Sequence, residues 1–390
     1  MRIGYESMLT SAQDTGVGVA IRELLQALAR LSPQDEFLAF SRPKAGKRLA
    51  GRTNLRYIQS RSAGLCRLGR IAWQQAALPF LLRRLPVDVY HAPGYVVSSH
   101  LPVPTVVTVY DTIALERPEL ASAANALHYR WAVPRAVRHA SRVIVPCHYV
   151  KERLTIAVPI SASRIRVIPL GVSGRFGPLN REEARKRLDA VEGLNGQEFF
   201  LCVGNIERKK NFATAVKAFA KWRSQQEVPR RLVIAGKPGN DFQHIKTLVR
   251  KEHVGSQVIM TGYVDEETLI ALYSAASALL YPSLEEGFGL PPLEAMACGT
   301  PVISSNAGAL PETVGNAAIL APPENTLAWV DAINALIAST DQRRNEIQAR
   351  GLAHAAQFTW ERTATAVLDV YRDVVENHAR AKRTAREALS

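Results

Sequence analysis

Two glutamates stand eight positions apart in the stretch YPSLEEGFGLPPLEAMACGTPV, which begins at residue 281. A carboxylate repels a phosphate, but it is a good double acceptor for neighbouring hydroxyl groups. Glu286 follows an apolar run, and Glu294 follows two prolines that suit the start of a helix. The glycine-rich turn between them leaves the backbone N–H groups of Phe288, Gly289 and Leu290 available to an oxyanion. The spacing predicts that one glutamate binds ribose hydroxyls, the other binds sugar hydroxyls, and these amides bind a diphosphate.

The helix that carries the second glutamate is predicted to be short. We expect Pro291 or Pro292 at its first position, Glu294 in its first turn and Gly299 at its end. The alternative interpretation is that Glu294 is only an acidic residue at the start of a structural helix.

A basic loop precedes another helix, at the sequence FFLCVGNIERKKNFATAVKAF. Arg208, Lys209 and Lys210 lie between an apolar strand and a helix whose predicted N-cap is Asn211. Ligands of open α/β sheets bind beyond the carboxyl ends of the strands, so cations at this place suit a phosphorylated ligand. Taken alone, the loop could also be a solvated basic turn.

Glycines also occur where the first strand hands over to the first helix, in QDTGVGVA. Gly16 and Gly18 would let a phosphate approach the backbone at a helix N-terminus. A dinucleotide-binding fingerprint would need glycine or alanine at position 21, where Ile21 stands. The pattern therefore leaves a phosphate contact, NAD binding and a plain tight turn open.

Short apolar runs alternate with helical patterns along the whole chain. Examples of strands are MRIGY, EFLAF, SRVIVPC, EFFLCVGN, RLVIAG and SALLYPS, and VGVAIRELLQALARL has apolar residues at helical spacing. Alternation of this kind predicts two doubly wound α/β domains with parallel sheets. Glycine and proline collect at 167–180, where we place the break between them.

Composition excludes several classes of protein. The chain has 390 residues and 47% apolar residues, enough for two cored domains. Its four cysteines are far apart and form no metal-ligand spacing, so neither a zinc site nor a disulfide framework is expected. The N-terminus lacks the apolar region of a signal peptide, and no apolar run approaches a membrane span. We therefore expect a cytoplasmic protein without a metal or other cofactor.

The net charge of +14 is unevenly distributed. Residues 1–180 carry 24 basic and 10 acidic side chains, so this half accounts for the whole excess. Nucleic acid, an anionic membrane, a polyanionic substrate or simple solubility could each explain it. The stretch 61–86 combines arginines with a tryptophan and many leucines, a composition suited to peripheral contact with an anionic membrane. The alternative is that its apolar residues are core; the arginines concerned are Arg61, Arg67, Arg70, Arg83 and Arg84.

With these motifs in register, the chain resembles the retaining glycosyltransferases of family 4, which have the GT-B fold. The E-x7-E block is highly specific, and further matches cover most of the chain, among them TGVGVAIRELLQAL, VVTVYDTIALERPE, VIPLGV, VGNIERKKN, MTGYVDEETLIALYSAAS and FTWERTATAVLDVY. The resemblance implies two Rossmann-like α/β domains facing each other across a cleft. We expect an acceptor-side domain at 1–173, a nucleotide-sugar domain at 174–358, and a C-terminal helix at 359–390 that packs back toward the first domain.

The resemblance also implies roles for individual residues. Glu286 is expected to contact the donor sugar and Glu294 the ribose, while Lys210 neutralises the diphosphate. Catalysis would then depend on Glu286 and Lys210. Gly16 is expected to face the diphosphate from the N-terminal domain. Family members often carry an arginine where this chain has Asn205, and Arg208 or Lys209 would compensate.

Two further positions are implied for the base and the acceptor. Tyr263 and Val264 match the segment that frames the base. The family commonly has a His-Asp pair where this chain has Tyr110 and Asp111, which are therefore the candidates for contacts with the acceptor.

The resemblance implies a reaction class and partners. The donor would be a nucleotide sugar and the acceptor a glycan or lipid-linked glycan, with no role for nucleic acid. The motif regions look most like those of bacterial mannosyltransferases of surface polysaccharide assembly, which suggests GDP-mannose, with UDP-sugars as the alternative. The sequence contains no Asp-x-Asp motif, so a metal-independent reaction with retention is expected. A nucleotide-sugar epimerase and a non-catalytic polyanion-binding protein are the alternatives from other classes.

Overall fold

The computed structural model describes residues 1–10, 16–42, 53–60, 67–94, 97–98, 100–120, 123–189, 191–194, 196–226 and 229–387. The chain forms two compact units. Unit 1 comprises Met1–Glu116, Ala123–Gly171 and Thr359–Ser390, and unit 2 comprises Arg117–Ser122 and Val172–Phe358. The C-terminal helix therefore belongs to the same unit as the N-terminal half.

Strands and helices alternate through the described part of the chain. The strands are β1 Arg2–Glu6, β2 Glu36–Ser41, β3 Leu55–Gln59, β4 Val89–Ala92, β5 Thr105–Thr108, β6 Arg142–Val145, β7 Ile165–Val167, β8 Phe199–Val203, β9 Arg231–Ala235, β10 Val258–Gly262, β11 Ala278–Tyr281, β12 Val302–Ser305 and β13 Ile319–Ala321. The helices are α1 Val17–Leu31, α2 Arg67–Ala72, α3 Leu78–Arg84, α4 Ile113–Glu116, α5 Ala123–His139, α6 His148–Ala157, α7 Arg181–Leu188, α8 Phe212–Arg223, α9 Phe242–Lys251, α10 Glu266–Ala275, α11 Leu290–Ala297, α12 Leu310–Val314, α13 Thr326–Ile337, α14 Asp341–Ala355 and α15 Trp360–Glu387.

Each unit is built on one parallel sheet. Among the described strands, the order is β3-β2-β1-β4-β5-β6-β7 in unit 1 and β10-β9-β8-β11-β12-β13 in unit 2. In each sheet the first strand of the chain lies in the interior, the next two strands extend the sheet on one side, and the remaining strands extend it on the other. The strand order therefore reverses between β1 and β4 and between β8 and β11. This is the doubly wound α/β arrangement, and it confirms the predicted fold class. Ligands of such sheets bind at the carboxyl ends of the strands where the order reverses, which in unit 2 are β8 and β11.

The two strands at the reversal in unit 2 are held by a well-packed core. Every residue of β8 and β11 is buried. Trp222 of α8 packs against Phe200 of β8 with the ring centroids 5.1 Å apart and the rings nearly perpendicular. Burial of a large apolar side chain stabilises a fold by roughly 1.5–3 kcal/mol. The loops that follow β8 and β11 therefore leave the sheet from fixed points.

The long helix α15 is anchored within unit 1. Thr363 donates a hydrogen bond of 2.8 Å to the carbonyl of Pro169. A Cβ atom on Gly171 would come within 2.2 Å of the backbone nitrogen of Trp360, so only glycine fits at this contact. Further along, the buried Tyr371 hydroxyl lies 2.6 Å from Nδ1 of His91 in β4. These contacts join the C-terminal helix to the core of unit 1.

The basic stretch 61–86 is folded into unit 1 wherever the structure describes it. Residues 61–66, including Arg61, lie outside the described residues, and so does the side chain of Arg67. A π-helical turn, Trp73–Ala77, joins α2 to α3. Trp73, Leu78 and Leu82 are buried, so these apolar residues are core. On the exposed side, the guanidinium of Arg84 lies 4.1 Å from the ring centroid of the half-exposed Phe80.

Candidate active site

Lys210 follows the first of the two strands at the reversal. After β8 the chain turns at Gly204, whose φ of 138° is unfavourable for other residues. A Cβ atom on Gly204 would lie 3.1 Å from Cε of Lys210, so glycine leaves room for the lysine side chain. The 3₁₀ turn Arg208–Lys210 then leads into α8. The lysine is thus held beside the end of the strand, with 12% of its side chain exposed.

Asn211 takes the N-cap position of α8, as predicted, but its side chain does not cap the helix. Its backbone has a φ of 51°, in the left-handed region. Its amide nitrogen instead donates to the carbonyls of Pro282, at 3.1 Å, and Pro323, at 2.8 Å. Asn211 therefore ties the loop that carries Lys210 to the loop that follows β11.

Glu286 lies in the loop that follows β11 and meets Lys210 directly. Nζ of Lys210 donates to Oε1 of Glu286 at 2.6 Å and to the hydroxyl of Tyr281 at 2.7 Å. The same hydroxyl donates to Oε1 of Glu286 at 3.0 Å. The carbonyl of Glu286 accepts a hydrogen bond from the backbone N–H of Ala309. A lysine, a tyrosine and a glutamate thus form one closed cluster at the carboxyl ends of β8 and β11.

The electrostatics of this cluster keep the carboxylate ionised. Burial alone would raise the pKa of Glu286, but the charges of Lys210 and then Lys209 lower it below its ordinary value. Burial raises the pKa of Tyr281, and the charge of Glu286 raises it further, so the phenol keeps its proton. Near neutral pH the cluster therefore combines a protonated phenol with an ionised carboxylate.

Glu294 lies in α11, but not where we predicted it. The helix begins at Leu290, one residue before Pro291, because Gly289 adopts a φ of 107° and turns the chain into the helix. Glu294 is therefore beyond the first turn, which contains no acidic residue. The helix ends at Ala297, and Gly299 follows its C-cap with a φ of 79°.

The position of Glu294 is fixed by a buried tyrosine. Its Oε2 accepts a hydrogen bond of 2.9 Å from the hydroxyl of Tyr273, a buried residue in the last turn of α10. Burial and the charge of Glu294 both raise the pKa of Tyr273, so this phenol also stays protonated. Sequence analysis did not find Tyr273 or Tyr281, because nothing local in the sequence shows that these phenols face the two glutamates.

The turn between the two glutamates presents backbone donors. In the described part of the chain, the N–H groups of Phe288, Gly289 and Leu290 have no hydrogen-bond acceptor. These groups stand at the N-terminus of α11, where the helix dipole favours negative charge. Phe288 itself is buried, with its ring edge-on to Phe358 at 5.9 Å. The turn is therefore held firmly enough to present its amides to an anion.

The two candidate second cations differ in their surroundings. Arg208 is exposed, and its backbone N–H donates to Oδ1 of Asn240 at 3.0 Å. Lys209 is partly buried, and its charge acts on Glu286. Asn205 is engaged locally, since its amide lies 3.4 Å from Oε1 of Glu207. Of the two, Lys209 is the one that contributes to the electrostatics of the cluster.

Tyr263 and Val264 follow β10, in the same unit as the cluster. Tyr263 is partly exposed, and Nζ of Lys237 lies 4.8 Å from the centroid of its ring. Lys237 belongs to the loop after β9, in the segment VIAGKPG, and our sequence analysis gave this lysine no role in the site. An exposed ring of this kind could stack on a flat group.

The remaining predicted residues belong to unit 1. Gly16 precedes α1 with a φ of 50°, and a Cβ atom there would meet nothing within 4 Å. Tyr110 is buried, and burial raises its pKa. Oδ1 of Asp111 accepts from the backbone N–H of Ile113 at 3.2 Å. Their predicted roles toward the donor and the acceptor stay predictions.

Over the described residues, no group of three or more histidine, cysteine, aspartate or glutamate side chains is arranged to hold a metal ion.

Comparison with known families assigns both halves of the chain. Residues 15–173 match Glycosyltransferase Family 4, and residues 184–373 match the glycosyl transferases group 1.

Curated relatives agree with this assignment. O-antigen chain mannosyltransferase B of Escherichia coli is 30% identical over 287 residues, which are 73% of this chain and 74% of that protein. A D-inositol 3-phosphate glycosyltransferase of Acidothermus cellulolyticus is 30% identical over 72% of this chain and 64% of its own length. The serotype-specific mannosyltransferase WbdA of Escherichia coli is 27% identical over 79% of this chain, which spans only 40% of WbdA.

Solved structures share the fold at lower identity. Sucrose-phosphate synthase from Thermosynechococcus elongatus superposes with a TM-score of 0.79 and 24% identity, over 96% of this chain and 99% of that one. Anabaena Alr3699/HepE, solved with UDP and glucose, gives a TM-score of 0.74 and 19% identity, over 96% and 100% of the two chains. WaaG, a glycosyltransferase involved in lipopolysaccharide biosynthesis, gives 0.72 and 15% identity, over 95% and 99%. The two doubly wound units and these matches show that the chain belongs to the family 4 glycosyltransferases of the GT-B fold.

Proposed function

We propose that this glycosyltransferase transfers mannose from GDP-mannose to a glycan or lipid-linked glycan acceptor, with retention of the anomeric configuration, in the synthesis of a polysaccharide of the O-antigen type. The observation that carries the proposal is the pairing of Lys210 with Glu286 beside the unpaired amides at the start of α11. Two mannosyltransferases of Escherichia coli among the relatives support mannose as the sugar.

The site would work by stabilising a leaving group. Cleavage of the bond between the anomeric carbon and the phosphate oxygen develops negative charge on the nucleoside diphosphate. Lys210, Lys209 and the amides of Phe288 to Leu290 provide positive charge or dipoles for it. A charged contact of this kind contributes roughly 1.5–3 kcal/mol, about ten- to a hundredfold in rate.

The two glutamates would bind the neutral parts of the donor. Glu286, next to the diphosphate donors, would accept hydrogen bonds from sugar hydroxyls, and Glu294 would accept them from the ribose. In the described cluster, Glu286 is engaged by cationic and phenolic donors and is not arranged as a covalent nucleophile. We therefore favour attack of the acceptor hydroxyl on the same face as the departing phosphate, which takes up the proton.

A UDP-sugar is the alternative donor, and two other classes of function compete with transfer. A nucleotide-sugar epimerase could use the same site without an acceptor. A polyanion-binding protein would need basic residues but no buried carboxylate, so the mostly buried Glu286 argues against it.

The decisive experiment measures thermal stabilisation by GDP, UDP and ADP, followed by an assay with the matching nucleotide sugar. A nucleotide at about 100 times its dissociation constant should add about 2.7 kcal/mol of stability. We expect GDP to stabilise most, and the product formed from GDP-mannose to keep the α configuration when analysed by NMR. Stabilisation by UDP alone would mean that the donor is a UDP-sugar and not GDP-mannose. A product of inverted configuration would contradict the proposed retention. A sugar nucleotide changed in configuration without transfer to an acceptor would indicate an epimerase.

Metal dependence is tested in the same assay. Because lysines and backbone amides would stabilise the leaving group, we expect full activity in EDTA. A strict requirement for added Mg²⁺ or Mn²⁺ would contradict this part of the proposal.

Peripheral membrane contact belongs to the same proposal. No helix in the described residues is long and apolar enough to cross a bilayer. Exposed apolar residues of unit 1 lie next to arginines: Phe80 beside Arg84 on α3, and Leu127 and Trp131 on α5, which also carries Arg130, Arg135 and Arg138. Aromatic residues beside arginines suit the interface of an anionic membrane, where a lipid-linked acceptor would be found.

A further inference from the structure

Each glutamate of the E-x7-E block is held by a tyrosine from outside the block. The Tyr281 hydroxyl donates to Glu286 at 3.0 Å, and the Tyr273 hydroxyl donates to Glu294 at 2.9 Å. Both tyrosines are fully buried. The two phenols thus contact the two carboxylates one to one.

The first contact shares one oxygen of Glu286 with Lys210. Its Oε1 accepts from both Lys210 and Tyr281. Lys210 would turn toward a diphosphate when a donor is bound. In that state Tyr281 would be the donor that still holds Oε1, so that Oε2 stays directed at the sugar.

The second contact acts on a different part of the site. Tyr273 lies in α10 and Glu294 in α11, so their hydrogen bond joins two helices next to the turn that presents the amides. It orients the carboxylate that is expected to bind ribose. No hydrogen bond in the described residues links Tyr273 to Lys210 or Glu286.

We propose that Tyr281 and Tyr273 are positioning residues with separate tasks, Tyr281 for the reacting sugar through Glu286 and Tyr273 for the nucleotide through Glu294. This inference rests on the proposed function, because it presupposes that the site holds a nucleotide sugar. A hydrogen bond to a charged group is among the stronger ones in proteins, so the loss of either hydroxyl should be measurable.

The test compares Tyr281→Phe with Tyr273→Phe, which remove the same atom at two places. Binding of GDP is measured by calorimetry, and kcat is measured with GDP-mannose. If UDP is the nucleotide that stabilises the wild type, UDP and the corresponding UDP-sugar are used instead. We expect Tyr281→Phe to lower kcat about tenfold and change the Kd of the nucleotide less than about twofold. We expect Tyr273→Phe to raise that Kd about tenfold and change kcat at saturation less than about threefold.

Tyr57→Phe is the matched control. The Tyr57 hydroxyl is buried in β3 and has no hydrogen-bond partner among the described residues, so its removal should change neither quantity. Values of kcat are divided by the number of nucleotide sites found by calorimetry, so partial misfolding of a variant does not count as a loss of turnover.

The results distinguish a failure of the proposed function from a failure of the roles proposed for the two tyrosines. A wild-type protein that binds no nucleotide and transfers no sugar overturns the proposed function. A wild type that does both, with two variants that lose kcat and affinity in equal proportion, or lose neither, overturns the separate tasks of the two tyrosines.

Discussion

Lys210 and Glu286 form an ion pair in which both side chains are mostly buried, 12% and 10% exposed. Removing two such charges from water costs more than a surface pair does, and well-packed apolar residues often stabilise a fold at least as well. Stability alone therefore does not explain a buried ion pair at the carboxyl ends of β8 and β11, and binding of a charged ligand does. The structure brings Lys210, the cation predicted to bind the diphosphate, into direct contact with Glu286, the carboxylate predicted to bind the sugar.

Substitutions of the two glutamates should affect different steps, transfer for Glu286 and nucleotide binding for Glu294. Glu286→Gln is expected to lower transfer at least about a hundredfold while nucleotide affinity stays within about threefold, because it would act on the sugar. Glu294→Ala should instead weaken nucleotide binding about tenfold, because ribose would lose an acceptor. Calorimetry with the free nucleotide and a turnover assay distinguish the two. If Glu286→Gln lost most of its nucleotide affinity, this residue would have been assigned to the wrong part of the donor.

Lys210→Ala should lower turnover by more than about tenfold and should also show a characteristic dependence of stability on pH. The folded protein lowers the pKa of Glu286, so the pair contributes stability above the ordinary glutamate pKa and loses it as the pH falls through the lowered value. The variant should therefore be destabilised most near neutral pH, by about 3 kcal/mol, and the difference should shrink below about pH 4.

Thermal melts of wild type and variant across this pH range provide the measurement. Lys186→Ala is the control, since Lys186 pairs with Glu182 on the surface with 72% and 79% of the side chains exposed, where little stability is at stake. A difference between wild type and Lys210→Ala that stays constant with pH would mean that the ion pair does not stabilise the fold.

At the level of single residues, spacing predicted the two carboxylates and the cation but not their partners. The E-x7-E distance and the glycine-rich turn can be read along the chain, because both depend on neighbours in sequence. Tyr273 and Tyr281 contact their glutamates through the packing of α10, α11 and β11. Glu294 was placed in the first turn but lies just beyond it, because the helix begins at Leu290 and Pro291 is its second residue and not its first.

The elements around the site bring three loops together, those after β8, β11 and β12. The loop after β12 contributes Gly308, which has a φ of 60°. A Cβ atom on Gly308 would lie 2.8 Å from the backbone nitrogen of Glu286. The close approach of these two backbones fixes the loop that carries the carboxylate, and only glycine permits it.

Gly308→Ala should therefore both strain the backbone and displace Glu286. We expect a loss of about 1–3 kcal/mol in stability and a fall in transfer that exceeds the fall in nucleotide affinity. Gly255→Ala is the matched control, because a Cβ atom on Gly255 would meet nothing within 4 Å and its φ is not in the left-handed region. Thermal melts and the turnover assay decide the point; equal behaviour of the two variants would show that the loop after β12 does not position Glu286.

Most central strands and the edge strand β10 could be predicted from the sequence, whereas the other three edge strands, β3, β7 and β13, could not. β8 and β11 are buried throughout and read as continuous apolar runs. β3 is half-exposed, and β7 and β13 have three residues each. Strands so short or so exposed leave no long run of apolar residues to find in the sequence. The sheet they extend, and not their own sequence, makes them strands.

At the scale of the whole molecule, the excess of basic residues is the feature that the active site does not use. All of the +14 charge is accounted for by residues 1–180. Part of the surface predicted to face a membrane belongs instead to the core, since Trp73, Leu78 and Leu82 are buried. Phe80 with Arg83 and Arg84 remains on the surface, and α5 adds the exposed Leu127 and Trp131.

We therefore expect reversible, salt-sensitive binding to vesicles that contain anionic lipid and little binding to neutral vesicles. Each basic residue near an anionic leaflet contributes about 1 kcal/mol, and the attraction is screened within a Debye length of about 10 Å at 0.1 M salt. Changing Arg83 and Arg84 together to Gln should weaken binding at least about tenfold, and Trp131→Ala should weaken it at both low and high salt. Arg343→Gln with Arg344→Gln, a pair on α14 in the half without excess charge, is the control. Sedimentation with vesicles decides between the explanations: equal, weak binding to both vesicle types would mean that the charge serves solubility or another polyanion.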